Sequence, residues 1–302
     1  MKVDIGEVMT QAWQIAWRNK QLWLFGGLMS LVSFLFIPLM LLPLLGVMEP
    51  NPLQDMGMDP FVAMLLFFGV FILFMLLMYP VSTILNGALA LGAWRAEQGA
   101  EKKEFADLLR DSLPYFWRLL GTMLVFVGGM LLVTFVFAAV QMVVSLLTLG
   151  LGSLCFIPLS FLQYPAMLVW YVCMEQALAG VVVDNLGVME AVQRSWQLFR
   201  SNIWVYVLFG LVFYFGVGML SAIVMIPLFL PLVFLPVAFE NREFGQALLW
   251  IGGAGVLIMV PIFAVFQGWA MALMKSGWTL TYLRLTRPVA EVQAATPIEP
   301  IA

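Results

Sequence analysis

The side chains able to do chemistry in this sequence are few, and their spacing does not suit catalysis. Histidine is absent, which excludes haem or chlorophyll ligation through imidazole, His-based zinc sites, Ser-His-Asp triads and imidazole proton relays. Cys155 and Cys173 stand 18 residues apart in or beside one apolar segment. That spacing belongs to neither a redox CxxC pair nor a metal knuckle, and both are read as buried, unreactive thiols. Among the acids Glu175 stands out. The uncharged run Leu154 to Met174 precedes it and Ala177 to Val183 continues apolar after it, so Asp184 is a competing candidate for the membrane edge. An ionised carboxylate at bilayer depth is costly unless paired, and such residues often mark ion or substrate paths. Two readings stand. Either the helix surfaces near Glu175 and water hydrates it, leaving it dispensable for folding, or Glu175, Gln176 and Asp184 form an intramembrane or interfacial polar site; no base is an obvious deep partner. Glu175, Asp184 and Glu190, spaced by 9 and 6 residues, make no recognisable metal-ligand set. No catalytic residue, metal or cofactor is therefore expected. Asn86, Gln141, Gln163, Gln176 and Gln267 also fall in apolar stretches, and are read first as interhelical amide bonds worth about 0.6 kcal/mol each, with a polar translocation path as the alternative.

The elements that carry these residues follow from composition. The chain has 302 residues, 63% of them hydrophobic and 10% charged, with a mean hydropathy of +1.01, whereas a soluble domain carries roughly 25% charge. A bilayer core about 30 Å thick needs about 20 apolar residues per helix. Uncharged stretches run from Gln21 to Met48, Phe61 to Trp94, Leu119 to Met174, Ser201 to Phe239 and Phe244 to Met274. The third is too long for one span and is broken by Leu149-Gly150-Leu151-Gly152-Ser153, a turn-like segment. In the fourth, Pro227, Pro231 and Pro236 predict one span followed by an irregular apolar approach to the loop. The expected fold is all-α: a polytopic membrane protein with six transmembrane helices, forming one membrane domain over residues 1–302. The first 20 residues lack a short apolar core followed by a small-residue cleavage site, so the first span is expected to remain. Residues 288–302, PVAEVQAATPIEPIA, are expected to form a flexible cytoplasmic tail.

Orientation comes from the basic residues. Of the 14 Lys and Arg residues, all but Arg242 fall in segments on one side of the six-span layout, namely Lys2 to Lys20, Arg95 to Arg118, Arg194 to Arg200 and Lys275 to Arg287. The positive-inside rule puts that side, and both termini, in the cytoplasm. The net charge of −3 shows no basic excess and gives no reason to expect nucleic acid; membrane lipid, and a second membrane protein, are the partners to consider.

The segments on that side resemble one another. IGEVMTQAWQIAWRN from Ile5, FADLLRDSLPYFWRL from Phe105 and VMEAVQRSWQLFRSN from Val188 superpose Glu7, Asp107 and Glu190. Trp17 and Arg18 match Trp117 and Arg118, and Trp13 matches Trp196. Each copy precedes two spans, dividing the chain into units of about 1–97, 98–185 and 186–287, each an amphipathic helix plus a helical hairpin. The first copy carries an i, i+3, i+4 stripe of Ile5, Val8, Met9, Ala12, Trp13, Ala16 and Trp17, with Asp4 placed to cap it; the third carries Val188, Val192, Trp196 and Phe199. Such helices lie at the membrane surface. The interfacial elbow residues are Trp13, Trp17, Arg18, Trp117, Arg118, Arg194, Trp196 and Arg200, types that keep an apolar body in lipid and a polar part in water. The third helix is expected to dock through its stripe, Trp196 included. The glycines Gly26-Gly27, Gly128-Gly129, Gly252-Gly253, Gly210 and Gly216 are read as close-packing points.

The run GVVVDNLGVMEAVQRSWQLFRSNIW, from Gly180 to Trp204, resembles a pattern of uncharacterised bacterial polytopic families. These include the membrane domain attached to some glycerophosphoryl diester phosphodiesterases, in which a span ends at an acid and an A-x-x-R-S-W-x-L helix leads into the next. Here that pattern is Asp184, then Ala191, Arg194, Ser195, Trp196 and Leu198, and WQIAWRNKQLWLFGGL from Trp13 is similar to the opening of such proteins. The resemblance implies a bacterial inner-membrane protein without the catalytic domain: in those enzymes the chemistry resides in a separate soluble barrel with metal-binding His, which this sequence lacks. Two functions are then expected to compete, a non-enzymatic protein organising lipid or a partner through its cytoplasmic helices, and a small permease or flippase-like carrier with Glu175 in its pathway. Orientation has a direct test. In a background lacking Cys155 and Cys173, a cysteine at position 55 should react with an impermeant maleimide from outside intact cells, and one at 102 only after permeabilisation; the reverse pattern inverts the topology.

Overall fold

A computed structural model of the chain describes residues 4–31, 59–100, 104–233 and 242–287. The protein is an all-α polytopic membrane protein, and among the described residues every regular element is helical. In chain order these are α1 (Ile5–Arg18), α2 (Gln21–Leu31), α3 (Pro60–Glu97), α4 (Phe105–Ser112, followed by a 3-10 turn), α5 (Phe116–Leu147), α6 (Ser153–Val183), α7 (Val188–Ser201), α8 (Ile203–Val233) and α9 (Arg242–Thr286). Five stretches among them are long and apolar enough to cross a membrane: Met64–Glu97, Phe105–Leu147, Gln163–Val183, Ile203–Pro227 and Ile258–Thr286. The sixth expected span, Gln21 to Met48, lies largely outside the described residues, and α2 is its described part. The tail 288–302 lies outside them as well.

Local chemistry explains where these helices begin and turn. The Asp4 carboxylate accepts the backbone N–H groups of Gly6 at 2.9 Å and Glu7 at 3.3 Å, filling donors that the first turn of α1 leaves open. Asp59 does the same for Phe61 and Val62, with Pro60 at the first helical position, where its missing N–H costs nothing. Between α5 and α6 the chain reverses as expected through Thr148 to Gly152, with Leu149 at φ 50° and Gly150 at φ 90°. The Thr148 hydroxyl holds this turn, accepting from Gly152 N–H at 2.7 Å while donating to Val144 C=O.

Two helices run further than their sequences suggest. Helix α8 continues through Pro227 and Pro231 to Val233, correcting the expectation of an irregular segment there; Pro236 lies outside the described residues. In apolar surroundings no water competes for the backbone groups a proline frees, so a helix remains the best way to satisfy the others. Helix α9 passes through Pro261 and continues beyond Met274, the expected end of the last span, as far as Thr286.

Helix α9 is the packing centre, touching α1, α3, α6 and α8. The core gathers near the end of the bundle where α6 and α9 terminate, called here the charged end. There Leu85 and Ala88–Leu91 of α3, Val172 and Ala177–Val183 of α6, and Leu273, Trp278, Leu280 and Tyr282 of α9 are buried. Away from it, α3 and α5 expose Leu65, Phe68, Leu76, Leu132, Phe135 and Leu147, as lipid-facing surfaces do. Helix α2 meets α9 backbone to backbone. A Cβ on Gly26 would meet Met271 and Gly268, one on Gly27 would meet the Ala264 carbonyl, and one on Gly268 would drive into the Trp23 carbonyl. Gly129 lies under the Trp170 indole and Gly210 against Leu168, whereas Gly128 and Gly216 face open space and are not packing points. Gly268→Ala should therefore lower stability by about 1–3 kcal/mol through overpacking, while Gly216→Ala should be neutral or gain up to about 1 kcal/mol from helix propensity. Thermal unfolding of both variants in one detergent checks the order, and equal melting temperatures would refute the close contact.

Candidate functional site

The last ten residues of α6 and the last turns of α9 run side by side toward the charged end. Glu175 stands nine positions before Asp184 on α6, and Lys275 stands nine before Arg284 on α9. At 1.5 Å per residue both lie about 13 Å inboard of the boundary charge on their helix, and so at matching depth. The Lys275 ammonium donates to both carboxylate oxygens of Glu175, at 2.7 and 2.6 Å. The pair is buried, Glu175 being 4% and Lys275 6% exposed. This overturns the reading of Glu175 as a hydrated surface residue and supplies the deep basic partner that the sequence did not disclose. It also removes Lys275 from the set of boundary charges used for orientation.

Several polar groups around the pair are tied helix to helix, although the buried Ser276 hydroxyl and Trp278 indole N–H find no hydrogen-bond partner among the described residues. Gln176, fully buried, donates through its amide nitrogen to the Trp278 carbonyl at 3.2 Å and accepts from the Tyr206 hydroxyl at 3.2 Å, joining α6, α9 and α8. Gln176 therefore makes the interhelical amide bonds expected of it. Asp184, at the end of α6, accepts from the Tyr282 hydroxyl at 2.6 Å and pairs with Arg287 at 3.2 Å. The Arg194 guanidinium of α7 lies beside the same Tyr282 hydroxyl. Asn185 at φ 55° turns the chain out of α6, and Arg118 of α5 donates to its carbonyl and its side-chain oxygen. Arg284 reaches across to Gln11 at 2.9 Å, Glu97 at 3.3 Å and Glu7 at 3.5 Å, linking α9 to α1 and α3. Glu175, Gln176 and Asp184 thus belong to one polar column along α6, whose partners come chiefly from α9. Glu190 is not part of it; its carboxylate caps α7 by accepting the Gly187 N–H at 3.1 Å. Among the described residues no group of three or more Cys, Asp or Glu side chains is placed to hold a metal ion.

The tryptophans form a second set. Trp13 and Trp17 cluster with Trp23 and Trp269, with Trp13 edge-on to Trp269 at 5.2 Å and Trp17 edge-on to Trp23 at 5.3 Å. Their outer sides remain open, each residue being 47% exposed. Trp117 is 76% exposed beside Phe116, and Trp196 is 49% exposed and stacked on Phe199. The docked face of α7 is Ala191, Ser195, Leu198 and Phe199, which corrects the expected stripe: Trp196 is on its rim, and Val188 and Val192 are half-buried. Small Ala and Ser side chains let α7 approach α6 and α5 closely, leaving the bulky indole no room inside. Arg18 and Arg200 are exposed.

No protein-family model, curated protein or solved structure matches the chain.

The buried pair makes a thermodynamic cycle informative. Removing one partner strands the other charge and should cost about 3–5 kcal/mol, whereas replacing both by apolar residues of similar volume is often neutral. Glu175→Gln and Lys275→Met should each lower the melting temperature strongly, and Glu175→Met combined with Lys275→Met should recover most of the loss. Additive losses in the double variant would show that the two residues act separately.

Proposed function

We propose that this is a non-enzymatic integral protein of a bacterial cytoplasmic membrane, with both termini in the cytoplasm, which organises membrane lipid or a membrane partner through α1, α4 and α7. One observation carries the reading: these helices dock mainly through small and aliphatic side chains, with Phe199 the buried aromatic among them, while the tryptophans on α1 and α7 and at the start of α5 stay open. Val8, Ala12 and Ala16 of α1, Leu108 and Ser112 of α4, and Ala191 and Ser195 of α7 are buried, while Trp13, Trp17, Trp117 and Trp196 remain open, as does Trp204 at the start of α8 with 85% exposure. A bundle using these indoles for its own stability would bury them. Left open beside Arg18, Arg118 and Arg200, they suit the headgroup level of a bilayer, where an aromatic ring meets lipid and a guanidinium meets phosphate. Three elbow helices of this kind, each leading into spanning helices, are the repeating unit of the reading, and the placement of nearly all the described basic residues at this end supports a cytoplasmic side.

The Glu175–Lys275 pair favours a second reading, a carrier whose path crosses the bundle, because paired charges at depth recur in transport proteins. Proton- or sodium-dependent uptake in proteoliposomes that Glu175→Gln abolishes would favour that reading.

A photoreactive benzoylphenylalanine at position 117 or 196, illuminated in native membranes, should form adducts with lipid or with one discrete protein. The same group at position 119, where Leu119 is 1% exposed, should give neither. Equal labelling at all three positions would remove the basis of the reading.

A further inference from the structure

A groove of about 530 Å³ opens beside the α2–α9 contact, with Lys20 at one end and Leu31 toward the other. Trp23, Leu28 and Val265 form parts of its walls, and Gly27, which has no side chain and lies against the Ala264 carbonyl, deepens its floor. From Lys20 to Leu31 the helix rises about 16 Å, close to the half-thickness of a bilayer core about 30 Å deep. Lys20 is exposed and stands where α1 breaks into α2, beside the Trp17–Trp23 pair; among the described residues no carboxylate is bridged to it. Its ammonium is the one charge on an otherwise apolar lining.

We propose that this groove is a binding site for one anionic phospholipid, an acyl chain lying along Gly27 and Val265 with its phosphate at Lys20. Charge selects the headgroup, since a single ammonium beside an apolar slot complements an anionic lipid better than a zwitterionic one. The site deepens the lipid-organising reading and rests on its orientation, which puts Lys20 at the cytoplasmic headgroup level.

Native mass spectrometry of the full chain, released from micelles supplied with equimolar phosphatidylglycerol and phosphatidylethanolamine, tests it. One retained phosphatidylglycerol is expected, preferred about fivefold over phosphatidylethanolamine. Lys20→Gln should reduce that preference to near unity, whereas Arg110→Gln, a charge change outside the groove, should leave it intact. Val265→Trp, at a position 58% exposed where a larger ring is tolerated by the fold, should abolish retention. An unchanged preference in Lys20→Gln, lipid retained by Val265→Trp, or a second copy of the chain retained in place of lipid overturns the site. If positions 117 and 196 still cross-link to lipid in that case, the groove alone falls; if they do not, the broader reading falls with it.

Discussion

Glu175 and Lys275 each occupy a position that neither could hold alone. A lone carboxylate or ammonium about 13 Å inside the boundary would lose its hydration without compensation, and together they replace water with two short charge-assisted hydrogen bonds. The geometry this demands sets the register of α6 against α9, because a one-turn slip of either helix would separate the charges by about 5 Å. The rest of the charged end follows from that register. Gln176 meets the Trp278 carbonyl and Asp184 meets Tyr282 because both acceptors and donors are carried at fixed offsets from the pair. Tyr206 then draws α8 into the same arrangement.

Outside this column the fold relies on smallness. Lipid tails are as apolar as Leu, so burying Leu between helices gains little in a membrane, and close backbone approach gains more. Gly26, Gly27 and Gly268 bring α2 onto α9, Gly129 admits the Trp170 ring, and Ala12, Ala16, Ala191 and Ser195 seat the short helices. Large side chains fill the core at the charged end, as Trp278, Tyr206 and Phe209 do, and elsewhere many lie on the perimeter. The exposed tryptophans of α1, α7 and the start of α5, and the exposed Leu and Phe residues of α3 and α5, share this lipid-facing perimeter.

Much of this was legible in the sequence because it depends on local chemistry. Asp4 as a cap, the reversal at Gly150 and the all-helical, lipid-facing character need only neighbouring residues. Lys275 was not legible in the same way. It closes an uncharged stretch and so reads as a boundary charge, although the uncharged Ser276 to Leu283 beyond it matches the run Gln176 to Val183 beyond Glu175. That shared nine-residue offset was the available signal, and it becomes visible only when two helices a hundred positions apart are compared. The prolines of α8 misled for a different reason, since a breaker in water is a tolerated kink in an apolar setting. Trp196 misled because periodicity marks an apolar face without saying whether protein or lipid covers it.

The ion pair joins residues 100 positions apart, and its second member lies in the last helix of the described chain. At a synthesis rate of about 5–20 residues per second, Glu175 leaves the ribosome some 5–20 s before Lys275. During that interval α6 carries a charge with no partner on its own element, so full insertion is disfavoured until α9 is made. A chain that stops short of α9 would hold an acid within a spanning helix without the ammonium that neutralises it in the finished fold.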